Sequence, residues 1–147
     1  MVFYWERDEL NRIAEAMGKK LRFEEFLSIF DGSEKFVYIY RWLIEDACPF
    51  LEANRCMIHE NKPLSCKIFP LIIRIPDLAV IVSSRCRWVR MNSERIKPEN
   101  IPTIFDEFFL AVKVLAMVDR FLSVARMNGW TINVGDRSNK ESGEVDG

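Results

Sequence analysis

The side chains best suited to chemistry lie close together in this sequence. Cys48, Cys56 and Cys66 fall within CPFLEANRCMIHENKPLSCKIFP, which also holds His59, the chain's one histidine, and a fourth cysteine follows at Cys86. Four thiolates are enough to close a tetrahedral zinc site or to hold one iron–sulfur cluster. The cysteines are separated by seven, nine and nineteen residues, with no CxxC knuckle among them. Spacing alone therefore argues only weakly for a zinc ribbon or finger, fails the local patterns of common ferredoxins, and disfavours a thioredoxin-type redox site. Three readings stay open on these residues: a metal or iron–sulfur site, a disulfide staple, and a sulfur framework that no longer binds metal.

The residues between the cysteines favour convergence. Pro49 after Cys48, Asn54-Arg55 before Cys56 and Pro63 ahead of Cys66 are turn formers. CPFLE and CMIHE, joined through Ala53-Asn54-Arg55, are suited to a short hairpin with both cysteines at one end. Pro63 then opens a helical turn, LSCKIF, that carries Cys66. Lys67 and Arg55 lie beside the thiols and would either lower their pKa values or serve as solvated turn residues. His59 offers a fifth ligand or a general base, but a hairpin-edge histidine bonded to backbone or water is the simpler expectation.

The elements that must position these residues can be read from the hydrophobic pattern. Leu10, Ile13, Ala14 and Met17 recur at helical spacing between Glu6 and Met17, with Gly18 as the stop. Phe23, Phe26, Leu27 and Phe30 repeat that spacing, which predicts a second short amphipathic helix, and its aromatic stripe is best read as core. Lys35 to Ile44 is β-branched and aromatic without a breaker and predicts a strand. Leu71–Ile75 and Leu78–Val82, split by Pro76-Asp77, predict two further strands about a tight turn, and a small antiparallel sheet is the economical arrangement. Ile101 to Met127 reads as one long helix stopped by Asn128-Gly129. Phe105, Phe109 and Val112 broaden its apolar stripe, so the helix either sits centrally in the core or offers its surplus face to a homodimer contact.

The fold class expected is thus α+β: two short N-terminal helices, a small antiparallel sheet with a cysteine-rich loop, and one long C-terminal helix. A chain of 147 residues suits a single domain, here residues 1–134, and GDRSNKESGEVDG from Gly135 onward reads as a disordered tail. A hydrophobic fraction of 49% with 29% charged residues is ordinary for a folded protein, and a net charge of −1 supplies no global attraction to nucleic acid or an anionic membrane. No run approaches the length of a membrane span and the first residues do not form a signal peptide, so a cytoplasmic location is expected. Thiols there stay reduced, which favours metal over disulfides.

The cysteine stretch also carries a resemblance. Cys48-Pro49-Phe50-Leu51, then Asn54-Arg55-Cys56-Met57-Ile58, then Lys62-Pro63-Leu64-Ser65-Cys66-Lys67-Ile68-Phe69-Pro70 resembles the signature of the YkgJ-type cysteine-cluster proteins, a family of zinc- or iron-chelating character. A similar cluster occurs in flagellin lysine methylases, within much longer chains. Cys86 is similar to the later cysteine that the family places after the strands, and Glu9 to Ala14 resembles its opening helix. The resemblance implies zinc or an iron–sulfur cluster as cofactor, with Cys48, Cys56, Cys66 and Cys86 as ligands, in an accessory or electron-transfer module. It also implies a CxxCxxCC element just ahead of the first helix, whereas residues 1 to 47 hold no cysteine and Met1 falls about where that element ends. Either the motif has been lost or the chain shown starts downstream of the natural start, which the codons preceding Met1 decide. A structural or interaction protein on the same scaffold, free of metal, is the alternative of another class.

Other chemistries find little support. A single histidine restricts Ser-His or Cys-His catalysis to His59, no GxSxG motif lies near, and no glycine loop cradles phosphate. Any catalysis would run through the bound metal. Arg85 to Arg90 with Arg95 and Lys97 is locally basic, but Glu94 and Glu99 dilute it, and nucleic-acid binding is disfavoured. A protein partner or substrate cannot be identified from these residues.

Overall fold

The computed structural model describes residues 1–135. They form two compact units, Met1–Leu64 with Gly129–Gly135, and Ser65–Asn128. The expected tail beyond Gly135 lies outside the described residues. The class is mixed helix and strand, with small antiparallel sheets and a C-terminal helix.

The first unit is built on a four-stranded antiparallel sheet of order β1-β3-β2-β8, from β1 (Val2–Phe3), β2 (Phe23–Phe30), β3 (Lys35–Trp42) and β8 (Thr131–Val134). Helix α1 (Tyr4–Ala16) leaves β1 directly and buries Leu10 and Ala14. It ends in a Schellman motif: Gly18, at φ +68°, donates to the Glu15 carbonyl and Lys19 donates to that of Ala14. The left-handed turn explains why glycine stands there.

Phe23–Phe30 is a correction to the sequence reading, which expected a second helix. It is one of the two inner strands of the sheet, paired with β3 on one side and β8 on the other. The register explains the misleading period. Glu25 opposes Tyr40 and Leu27 opposes Ile39, so Phe26 is an extra residue; Ser28 then opposes Val37, which skips Tyr38 on β3. Two compensating bulges break the alternation of two, and the apolar positions fall at intervals of three and four that imitate a helix. Asp31 closes the β2–β3 hairpin by accepting the backbone N–H groups of Ser33 and Glu34, each at 2.8 Å.

Among the described residues, three small sheets rather than one hold the strands. Besides the four-stranded sheet there are the hairpin β4 (Leu51–Glu52) with β5 (Arg55–Cys56), and β6 (Leu71–Arg74) with β7 (Ala79–Val82). The β6–β7 pair belongs to the second unit and turns at Ile75-Pro76-Asp77-Leu78, where Arg74 and Asp77 form an ion pair of 2.6 Å. A long helix, α5 (Phe108–Met127), packs against both of these strands and buries Ala111, Val114, Val118, Leu122 and Ala125.

The single helix expected from Ile101 is broken. Short α4 (Ile101–Ile104) has Pro102 in its first turn, and Phe105 leaves the helical region at φ −109° and ψ 112°. Phe105 is buried, with its ring 6.0 Å from that of Trp88 in an edge-on contact. Seating this aromatic ring takes precedence over helix continuity. The stop at Asn128 and Gly129 is as expected, with Gly129 at φ +67°.

Candidate functional site

The cysteine segment begins where β3 ends. Cys48 opens a turn in which its carbonyl accepts the Leu51 N–H at 3.0 Å, and Pro49 sits inside that turn. The chain then enters the β4–β5 hairpin, in which Leu51 faces Cys56 and Glu52 faces Arg55. The two-residue connection, Ala53-Asn54, has positive φ at both positions, +47° and +62°, as a type I′ turn requires. The hairpin foreseen from CPFLE and CMIHE is thus present, one residue tighter than its expected Ala53-Asn54-Arg55 connection.

Phe50 and Ile58 anchor this hairpin. Both are buried in a cluster with Val2, Leu10 and Ala14, and the half-buried Cys48 and Cys56 pack against that cluster. The Phe50 ring, with no exposed surface, lies 5.9 Å from the ring of Trp42. Two of the four candidate ligands therefore pack on one core, each two residues before one of its buried anchors, Phe50 or Ile58.

Cys66 sits in the short helix α2 (Leu64–Ile68), opened by buried Pro63 as the sequence predicted. Its start is held by a residue that sequence reasoning missed. The Glu6 carboxylate accepts the Phe3 N–H through Oε1 at 3.0 Å and the Leu64 N–H through Oε2 at 2.7 Å. One side chain thereby satisfies a donor at the beginning of α1 and another at the beginning of α2, 58 residues further along the chain. A glutamate in the first turn of a helix is visible in the sequence, but nothing there points to its distant second partner. Cys66 itself is exposed.

Cys86 is the N-cap of α3 (Arg87–Met91) and is half-buried. The turn before it is fastened by buried Ser83, whose N–H donates to the Pro70 carbonyl at 2.8 Å and whose Oγ accepts the Arg85 N–H at 3.2 Å. Arg90 donates from Nη1 to the carbonyls of Ser84 and Arg85, at 3.0 and 3.2 Å. At least one arginine of the basic run is therefore engaged in local structure. His59 lies in an exposed 3-10 turn, His59–Asn61, with Nδ1 3.4 Å from Lys62 Nζ.

All four cysteines lie among the described residues and none is in a disulfide. Among the described residues, no three side chains of His, Cys, Asp or Glu stand together so as to hold a metal ion. Four cysteine thiols suit zinc or an iron–sulfur cluster by their donor chemistry. Lys67, on α2, and Arg55, on β5, are exposed. Among the described residues, no helix is long and apolar enough to cross a membrane.

Neither the curated proteins nor the solved structures hold a match to this chain. A family model does match, over residues 3–99, and that span takes in α1, the sheet hairpin β2–β3, all four cysteines and the segment through α3. With about two thirds of its length accounted for in this way, the chain belongs to the CxxCxxCC family, described as "Putative zinc- or iron-chelating domain".

Proposed function

We propose that this protein binds zinc or an iron–sulfur cluster through the thiolates of Cys48, Cys56, Cys66 and Cys86, as an accessory or electron-transfer module in the cytoplasm. The observation that carries this reading is the family match, whose span includes every cysteine of the chain. The chemistry of the donors supports it, since four thiolates satisfy a tetrahedral zinc ion or one cluster. Metal binding would draw the protons off these thiols and supply energy that orders the ligands. Zinc would contribute structural cross-linking, and a cluster would contribute one-electron chemistry. The chain's own residues hold the ligand-bearing turns: Phe50 and Ile58 beneath the hairpin, Glu6 at the start of α2, and Ser83 with Arg90 around Cys86.

Metal and acid-labile sulfide analysis of the full chain, purified anaerobically, tests this. Near-stoichiometric zinc, or iron with sulfide and visible absorbance, is the expected result, reduced in Cys66→Ala. Metal-free protein from both anaerobic and zinc-supplemented preparations refutes it. That outcome would select the second reading, a structural or interaction protein on the same scaffold.

A further inference from the structure

The β6–β7 hairpin separates charge between its two ends. Its turn holds Asp77, the one acidic residue among residues 65–93, in an ion pair with Arg74. At the open end the Pro70 carbonyl accepts the Ser83 N–H at 2.8 Å, next to the Leu71–Val82 pair. The segment with Lys67 enters the hairpin there, and the segment with Arg85, Arg87 and Arg90 leaves it there, all within the second unit. Among the described residues, none of these four cations takes part in an ion pair. Arg90 donates to carbonyl oxygens, which leave its charge unneutralised. Glu94 and Glu99, which dilute the basic run in the sequence, stand beyond α3 in the 3-10 turns Ser93–Arg95 and Pro98–Asn100. A chain of net charge −1 thus gathers four unpaired cations at one end of one hairpin.

Helix α3 gives this basic end an apolar centre. At about 100° per residue, Arg87, Trp88, Arg90 and Met91 share the arc opposite buried Val89, with Met91 between Arg87 and Trp88. Met91 is 72% exposed, and Trp88 is 48% exposed although its ring meets that of Phe105 edge-on. We propose that this surface docks a partner protein that presents carboxylates around an apolar contact. Charge complementarity makes the partner acidic. The side chains make it a protein: arginine, tryptophan and methionine are the types enriched at protein interfaces, whereas Met91, at the centre, offers no flat face on which a base could stack. A helix of five residues with two exposed apolar side chains is also far shorter than the amphipathic segments that lie in a membrane surface. The patch is small and led by charge, so the association is transient and salt-sensitive. It borders Cys86, the N-cap of α3, but does not rest on bound metal.

Fluorescence anisotropy of a labelled glutamate–tyrosine copolymer, titrated with the full chain at low and at high salt, tests this. Saturable binding that weakens with salt is expected. Arg85→Glu combined with Arg87→Glu should weaken it by about tenfold or more, and Met91→Asp by about fivefold. Lys113→Glu, which reverses an exposed cation on α5, should leave it unaltered. Every altered side chain is exposed, so the variants keep their fold, checked by circular dichroism. Absence of binding at low salt overturns the proposal, as does binding indifferent to Met91→Asp or weakened as much by Lys113→Glu as by the paired arginine reversal. Tighter, arginine-dependent binding of a labelled oligouridylate would overturn it in favour of nucleic acid. Met91-dependent sedimentation with phosphatidylglycerol vesicles would overturn it in favour of a lipid surface.

Discussion

Replacing Glu6 by alanine isolates the contact that ties the start of the chain to the start of the Cys66 helix. The carboxylate accepts two part-buried backbone N–H groups, Phe3 at 3.0 Å and Leu64 at 2.7 Å. A hydrogen bond to a charged acceptor contributes about 1.5–3 kcal/mol, and partial exposure lets water replace some of that, so the lower end applies to each. The glutamate also sits in the first turn of α1, where its charge opposes the helix dipole for a further ~0.3–1 kcal/mol. Glu6→Ala should therefore destabilise the first unit by about 3–4 kcal/mol. Glu6→Gln keeps one oxygen to accept one N–H but turns an amide group toward the other, and should cost about half as much. Urea denaturation followed by tryptophan fluorescence reads the total, and hydrogen exchange reads the site, because the Leu64 amide should lose protection in Glu6→Ala. A change of stability below about 0.5 kcal/mol, or an unaltered Leu64 amide, would refute the assignment of Glu6 as the shared cap.

Three further outcomes follow from the same geometry. Phe50→Ala should destabilise by about 3–5 kcal/mol, since it empties a fully buried site beneath the cysteine hairpin, while Phe50→Leu should cost clearly less; thermal unfolding compares them. Ala53→Gly should stabilise by about 0.5–1 kcal/mol, because alanine holds φ +47° in the β4–β5 turn and glycine adopts that conformation without a side-chain clash; denaturant midpoints measure it. Asp31 has its pKa lowered by the N–H groups of Glu34 and Ser33 and then by the Ser33 hydroxyl. A lowered folded-state value means that the carboxylate's contribution is present above its unfolded pKa of about 3.9 and is lost as pH falls through the folded one, so Asp31→Asn should flatten the acid limb of stability against pH. Carboxyl NMR titration of Asp31 checks the direction independently.

Much of the local architecture around the cysteines was legible because short-range chemistry specifies it. The turn-forming Ala53-Asn54-Arg55 between CPFLE and CMIHE pointed to the hairpin, proline before LSCKIF to the helical turn, and Pro76-Asp77 between two apolar runs to the β6–β7 pair. Phe23–Phe30 was misread because eight residues are too few to separate a bulged strand from a short helix by periodicity, and its pairing partners lie both near and far in sequence. The strand Thr131–Val134 had no signal strong enough to place it, since it gains its definition from pairing with Leu27–Phe30. The break at Phe105 was likewise hidden, because the helical pattern runs through it and only its burial beside Trp88 interrupts the backbone.

The sequence by itself determined the donor set and the family resemblance, since residue types and short spacings are properties of the chain alone. It also determined α1 and its glycine stop, because helical periodicity and a left-handed cap are local. Tertiary structure decided that Phe23–Phe30 became an inner strand, where the long helix begins, and that Glu6 joins the first turn of α1 to the Leu64 N–H. Those outcomes depend on hydrogen bonds and burial between residues tens of positions apart, and such pairings leave no period in the sequence to be read.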